Sequence, residues 1–271
     1  MAKPAIGMMT YSFGRSIREG CMSLPDAIRL CATLGVEAID LAEAHLGDPQ
    51  ADISAFLAAL SDTGLPVASS HTGLDLITRG EAARGEREQE ARRIFERLGK
   101  LDCGHVMLGS PTGDLSAEDW RREYGIGLGE CAPIAADYGI TVTFENRGGP
   151  AGLLVGTADH CEEILGHAGD TGVRFTFDVG NFRYVGADHN AAFERLAQYT
   201  AHVHLKDVVP RGESFGMVPL GEGEVDNAPI IRKLAASGFG GCLAIECGGL
   251  GTDEDDARKS VEFVQNVRNE G

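Results

Sequence analysis

Four stretches of the chain each carry, on one face, a side chain able to hold a metal ion. In Ala201-His-Val-His-Leu-Lys-Asp207, Val203 and Leu205 alternate with His202, His204 and Lys206. A period of two makes this a strand with one apolar face and one face bearing two imidazoles and an amine. Ile140-Thr-Val-Thr-Phe-Glu-Asn146 sets Ile140, Val142 and Phe144 against Thr141, Thr143 and Glu145. Arg174-Phe-Thr-Phe-Asp178 alternates aromatics with Arg174, Thr176 and Asp178, and Cys242-Leu-Ala-Ile-Glu246 opposes Leu243 and Ile245 to Cys242, Ala244 and Glu246. Glu145, Asp178, His204 and Glu246 therefore share phase and strand-end position on the less apolar faces. Three carboxylates and an imidazole make a hard donor set that suits one divalent ion, Mn²⁺ or Mg²⁺, with Co²⁺ or Zn²⁺ as alternatives. A structural zinc would favour thiolates.

The rest of the chain alternates strand and helix signals. An apolar run from Ile6 to Phe13 precedes a helix capped by Ser23, with Pro25 in its first turn and Gly35 at its end. A strand over Val36–Leu41 leads to a helix capped by Asp52 and stopped by Gly64, then a short strand over Val67–His71. A charged helix over Gly85–Gly99 and a strand over His105–Gly109 follow. The helix over Ala117–Tyr138 contains Gly125, Gly127, Gly129 and Pro133, which predict a break or kink. Later helices are expected over Thr157–His167, Asn190–Tyr199, Ala228–Ala236 and from Asp253 to about Asn269. A glycine-rich loop over Val208–Val225 is expected to roof the site. Eight strand–helix units without a linker predict a single domain over 1–271, an α/β fold closed as a (β/α)8 TIM barrel. Sites in such barrels lie at the C-terminal strand ends, where the four ligand candidates fall. A doubly wound sheet would be expected to show GxGxxG after the first strand, and none is present.

A formal net charge of -17 opposes binding to a polyanion, so nucleic acid is not expected as a partner. No apolar run is long enough to span a membrane, and the opening residues enter a strand pattern directly without a cleavable signal. The 7 cysteines have neither CxxC nor CxxxC spacing and read as buried or free thiols of a reducing compartment, the cytoplasm.

These motifs resemble the xylose isomerase-like barrels, which include sugar and sugar-phosphate isomerases and epimerases. The resemblance covers essentially the whole chain and is strongest in Phe-Glu-Asn (144–146), Phe-Asp-Val-Gly-Asn (177–181), His-Val-His-Leu-Lys-Asp (202–207), Leu-Gly-Glu-Gly-Glu-Val-Asp (220–226) and Ile-Glu-Cys (245–247). Gly-Val-Glu-Ala-Ile-Asp-Leu (35–41) and Ser-Ser-His (69–71) are fainter echoes. It implies that Glu145, Asp178, His204 and Glu246 bind one divalent ion and that Glu145 and Glu246 also move protons. The implied reaction is isomerisation or epimerisation of a keto or aldo sugar, or a polyol derivative, by proton abstraction next to a metal-bound carbonyl. Many relatives carry His three residues after the strand-six Asp, where this chain has Asn181. That departure, with the charge, argues against the superfamily's multi-zinc nucleases. It also leaves open a lyase, dehydratase or hydrolase acting on a keto-sugar or inosose; a non-catalytic sugar-binding barrel is the other alternative. His71, His202, Lys206, Asn181 and Arg211 are the candidates for substrate contact, and Arg183 is a further loop cation on the same side. Asp40 is expected at the rim, and the remaining histidines are bystanders. The expected partner is a small sugar, with homo-oligomerisation compatible.

Overall fold

A computed structural model describes residues 3–48, 50–249 and 251–270; Met1 and Ala2, at the approach to the first strand, lie outside them. Strands and helices follow in the order β1 (Ala5–Met9), α1 (Gly14–Arg18), α2 (Leu24–Thr33), β2 (Ala38–Ala42), α3 (Ser54–Thr63), β3 (Val67–Gly73), α4 (Glu81–Gly99), β4 (His105–Gly109), α5 (Ala117–Ala136) and β5 (Thr141–Glu145). The second half continues with α6 (Gly152–Val155), α7 (Ala158–Ala168), β6 (Arg174–Asp178), α8 (Asn181–Tyr184), α9 (His189–Leu196), β7 (Thr200–Arg211), β8 (Ser214–Val218), α10 (Ala228–Ser237), β9 (Cys242–Glu246) and α11 (Asp253–Glu270). Each of β1 to β6 pairs in parallel with the next, β6 pairs with β7, β7 with β9, and β9 with β1, which closes the ring. The fold is thus a (β/α)8 barrel. Among the described residues no helix is long and apolar enough to cross a membrane.

Alternation along the strands sorts the side chains into two cores. Phe144, Phe175, Phe177, Val203, Leu205, Leu243 and Ile245 point outward into the layer between barrel and helices. Inside the barrel, Met9, Ala38, Cys242 and Ala244 form a small separate apolar cluster. Small residues are required there: a Cβ on Gly7 would lie 2.3 Å from Cys242 Sγ. The ion-binding candidates therefore sit in the same interior, toward the C-terminal ends.

Several helix starts are those that the sequence predicts. Ser23 and Asp26 form a reciprocal capping box on α2, and the Thr157 side chain accepts from the His160 amide at the start of α7. At α3 the end is as expected, with Gly64 at φ 70, but the start differs: Ile53 holds the N-cap position without a side-chain bond, and Asp52, one residue earlier, accepts from the Ser54 amide at 2.9 Å.

Other boundaries differ from expectation. The first apolar run divides, with β1 ending at Met9 and Thr10–Phe13 coiling into a 3-10 turn. The charged helix α4 begins at Glu81, ahead of Gly85. Helix α5 runs unbroken through its glycines, with Pro133 in its last turn. The glycines mark close approach rather than a break: a Cβ on Gly125 would lie 2.6 Å from Ile164 O, on Gly129 2.7 Å from Ala168 O, and on Gly127 2.5 Å from Leu76 O. The segment Val208–Val225 is also more ordered than a loop, because β7 runs on to Arg211 and turns back antiparallel through β8.

Gly127→Ala gains helix propensity of about 1 kcal/mol. It must also displace the buried Leu76 backbone, at a cost of about 1–3 kcal/mol. Urea denaturation is expected to show Gly127→Ala destabilised. Gly166→Ala in α7, where a Cβ meets nothing within 4 Å, is expected to be neutral or stabilised by up to about 1 kcal/mol. Equal effects at the two positions would contradict the packing account.

Candidate active site and metal centre

The strand register stacks polar side chains inside the barrel in two layers. In the lower layer His202, fully buried, has Nε2 at 2.6 Å from Asp40 Oδ2. In the upper layer His204 lies between two carboxylates, with Nε2 at 3.0 Å from the same Asp40 oxygen and Nδ1 at 2.5 Å from Glu145 Oε1. Asp178 pairs with His204 across β6 and β7, and Lys206 with Glu246 across β7 and β9. The Lys206 ammonium reaches 2.9 Å from Asp178 Oδ2 and 2.8 Å from Glu246 Oε2, and donates to Asn181 Oδ1 at 3.2 Å.

The charges follow from these contacts. Burial works against ionisation of Asp40, but His202, His204 and His71 outweigh it and hold its carboxyl well below the usual range. Burial likewise opposes charge on His204, yet Glu145 and Asp40 raise it well above the ordinary imidazole value. Glu145 is lowered, since His204, Lys206 and Arg147 overcome its burial. Lys206 is raised well above the ordinary amine value by Asp178, Glu246 and Glu145, against burial. Asp178 behaves differently. Burial, helped by Glu145 and Glu246 and opposed by Lys206 and His204, pushes it up to about 7.

Each of Glu145, Asp178, His204 and Glu246 offers a donor atom within 4.8 Å of the others. Donors facing each other across a small divalent ion are about 4.2 Å apart at bond lengths of about 2.1 Å, so modest contraction closes the set. Asp178 Oδ2 is buried and receives no hydrogen bond of good geometry; it faces Lys206 Nζ at 2.9 Å, a contact that an incoming cation would replace. Three carboxylates and one imidazole, with that oxygen among them, fit a hard divalent cation. Asp40 would then act from behind: it accepts from His204 Nε2 and leaves Nδ1 facing the cluster.

Above the cluster opens a cavity of about 810 Å³ lined by Glu145, Glu246, Lys206, Asn181 and His71, among others. These candidates are brought together. His71 Nδ1 is 3.7 Å from Asp40 Oδ1, beyond hydrogen-bond length. Asn181 donates from its side chain to Asn146 O and from its backbone to Asp178 Oδ1. His202 is not at the mouth but beneath it, held by Asp40. Arg211 lies outside the cavity, exposed, with Nη2 3.4 Å from Gly249 O. Arg183 is spent on Glu224 at 2.6 Å and on the ring of Phe215. Asp40 is not at the rim; it is fully buried, because its inward phase places it under His204.

The segment expected to roof the site contributes no lining residue. Its C-terminal part is pinned instead. Asp207 accepts from the amides of Val208 and Val225 at 2.9 Å through Oδ1, and from Gly221 at 3.0 Å and Gly223 at 2.9 Å through Oδ2. A Cβ on Gly223 would lie 2.1 Å from Asp207 Oδ1, so that glycine permits approach rather than bending. Sequence reading also passed over Tyr11, Glu43, Tyr184 and Arg147, which line the cavity from loops after the strands. For Arg147 the signal was available, since it follows the Glu145 strand end by two residues.

A closed (β/α)8 barrel carrying an oxygen-rich cluster of four candidate ligands at the C-terminal ends of its strands defines the class of fold and site. Within that class, residues 28–267 match the family described as xylose isomerase-like TIM barrel, and the chain belongs to it. It is 30% identical over 150 residues to the rhizopine catabolism protein MocC of Rhizobium meliloti, a match covering 49% of this chain and 44% of that protein. The chain thus spans about half the length of that relative. It is 26% identical over 223 residues to an inosose dehydratase of Clostridium botulinum, covering 72% of this chain and 73% of that one. Among solved structures, the probable 3-DHS dehydratase AsbF of Bacillus anthracis has TM-score 0.78 at 19% identity, over 97% of this chain and 99% of that chain. That likeness shows the fold.

Asp40→Asn removes the charge that faces His202 and His204, and breaking such a buried pair costs about 3–5 kcal/mol. Urea denaturation is expected to show that loss at neutral pH. Because the folded value of Asp40 is depressed, its contribution is complete above its unfolded value of about 3.9 and declines as pH falls below it. The gap between wild type and Asp40→Asn should narrow in acid. A penalty that is small at pH 7, or that grows in acid, would contradict the assignment.

Proposed function

We propose that the chain is a divalent-metal-dependent enzyme that isomerises or epimerises a polyhydroxylated ketone or aldehyde by moving a proton on the carbon next to the carbonyl. The observation that carries this reading is that Glu145 and Glu246, from β5 and β9, face one cavity and share one cluster with Asp178 and His204. Glu145, Asp178, His204 and Glu246 would hold a divalent ion, which would supply polarisation of a carbonyl and neighbouring hydroxyl and so acidify the adjacent C–H. Glu145, kept ionised by His204 and Lys206 in spite of its burial, serves as the base. The C–H pair becomes the enediolate double bond and the proton passes to the carboxylate. Glu246 returns a proton, to the same carbon from its other face in epimerisation or to the neighbouring carbon in isomerisation. His71, Asn181 and Lys206 orient the hydroxyls.

A second reading has its own support. The relatives matched over 72% of this chain include proteins described as inosose dehydratases. Lys206, charged and 2.8 Å from Glu246, would hydrogen-bond a departing β-hydroxyl, and Glu145 would hand that hydroxyl the proton taken from the C–H bond. The enolate then collapses by expelling water instead of accepting a proton.

Two experiments test the proposal. Metal analysis is expected to find about one divalent ion per chain, lost in His204→Ala and in Asp178→Ala. Because Glu145 and Asp40 hold His204 protonated, an ion that takes Nδ1 must displace a proton. Apparent affinity should therefore rise up to about tenfold per pH unit below the raised value of His204 and level off above it. Full metal retention by both variants, or a pH-independent affinity, counts against the centre. Glu145→Gln and Glu246→Gln are each expected to lower the rate by about 10²–10⁴-fold on a panel of ketoses and inososes. In D₂O, deuterium should appear at the carbon next to the carbonyl in an unchanged molecular formula. Loss of water establishes the second reading, and active Gln variants without solvent deuterium remove both.

A further inference from the structure

The cavity contains a cation whose side chain makes no ion pair or hydrogen bond among the described residues. Of the 24 lysines and arginines, only Arg18 and Arg147 have no side-chain hydrogen bond or ion pair among the described residues. Arg18 is exposed at the end of α1, outside the cavity; Arg147 lines it. In a chain with 41 acids, an arginine beside carboxylates ordinarily takes one.

Here each carboxylate in the wall is engaged elsewhere. Glu43 holds Arg97 at 2.5 Å, and Asp75 accepts from Thr78 Oγ1 at 2.5 Å and from the Ile77 amide at 3.1 Å. Glu145 is on His204 at 2.5 Å and Glu246 on Lys206 at 2.8 Å.

The Arg147 backbone is also held in place. The preceding Asn146 is buried and exchanges two hydrogen bonds with the Asp178 backbone, at 2.9 and 3.0 Å. The following Gly148 packs so closely on Tyr184 that a Cβ would lie 2.5 Å from its ring. The guanidinium extends over the end of β4, where a Cβ on Gly109 would come 3.8 Å from Nη1. Such an arginine, fixed at its root, uncommitted at its tip and inside the substrate cavity, has the geometry of an anion anchor.

We propose that Arg147 is a specificity-determining residue that binds an anionic group, a carboxylate or a phosphate, carried by the substrate at the end away from the four-residue cluster. The substrate class is then an acidic or phosphorylated polyhydroxy ketone rather than a neutral one. This rests on the reading of the cavity as a sugar site, but not on the proton-transfer step.

The test uses probes without a ketone or aldehyde, so that binding is read without turnover. D-glucitol, D-glucitol 6-phosphate and D-gluconate are titrated calorimetrically into the metal-loaded protein and into Arg147→Gln and Arg147→Lys. Wild type is expected to bind at least one of the two anions about tenfold or more tighter than D-glucitol, and which anion gains identifies the group. Arg147→Gln should lose that preference while its D-glucitol affinity stays within about twofold, and Arg147→Lys should restore part of it. Equal affinity for all three probes, including no binding by any, overturns the proposal. A preference that survives in Arg147→Gln does so too, since the anion would then sit on the cluster itself. Loss of deuterium exchange with this preference intact would remove the proposed chemistry and leave the anchor standing.

Discussion

Everything at the top of this barrel depends on one buried arrangement, a histidine held between two carboxylates. His204 faces Asp40 through one ring nitrogen and Glu145 through the other. A buried charge without partners would cost several kcal/mol, so neither carboxylate nor imidazole could occupy this interior alone. The same Asp40 oxygen also takes His202. That bond ties β2 to β7 across the lumen, between strands that are not neighbours on the ring. Register then does the rest. With His204 fixed, the ladder places Asp178 beside it and Glu246 beside Lys206.

The surrounding structure serves to keep those registers from slipping. Beside the polar layers the lumen is filled by Met9 and small residues, including Gly7, where a side chain would strike Cys242. Outside, the glycines of α5 let that helix approach α7 and the Leu76 segment closely enough to press the helical layer on the strands. Asp207 gathers four amides of the following turn, and Asn227 donates to Lys206 O at 3.1 Å. The His-Leu-Lys-Asp and Leu-Gly-Glu-Gly segments are thus one structural unit. The first supplies the acceptor; the second supplies the amides and a glycine small enough to approach it.

These physical reasons separate what could be read in the sequence from what could not. The barrel and the Glu145, Asp178, His204 and Glu246 cluster were legible because period-two alternation is a local property, and phase along a strand tells which residues look inward. Depth is not local. Asp40 has the inward phase, but the ladder between β2 and its neighbours, with its shift at Ile39 and Asp40, decides that it lies under His204 and not at the rim. His202, one step deeper than His204 on the same face, meets Asp40 there rather than the cavity. The glycines of α5 predicted a break because propensity weighs each residue against solvent, whereas their role is set by the helix packed on them. Arg147 and Arg211 look alike as loop cations. Only the fold shows one inside the cavity and the other outside it.

The site accordingly has two parts built on different kinds of backbone. The cluster that would hold an ion and move protons comes from strands, whose hydrogen-bond ladders fix each side chain against its neighbour. Other residues of the cavity wall, Arg147, Tyr184, Glu43 and Asp75, come from connections after the strands. Enolisation of a ketone requires only the strand-borne part. On the proposed reading, the choice between epimer and dehydrated ketone would turn on which proton donor stands over the next carbon, and so on how the loop-borne part tilts the substrate. One rigid centre can thus serve several reactions on related substrates, and the loops choose among them.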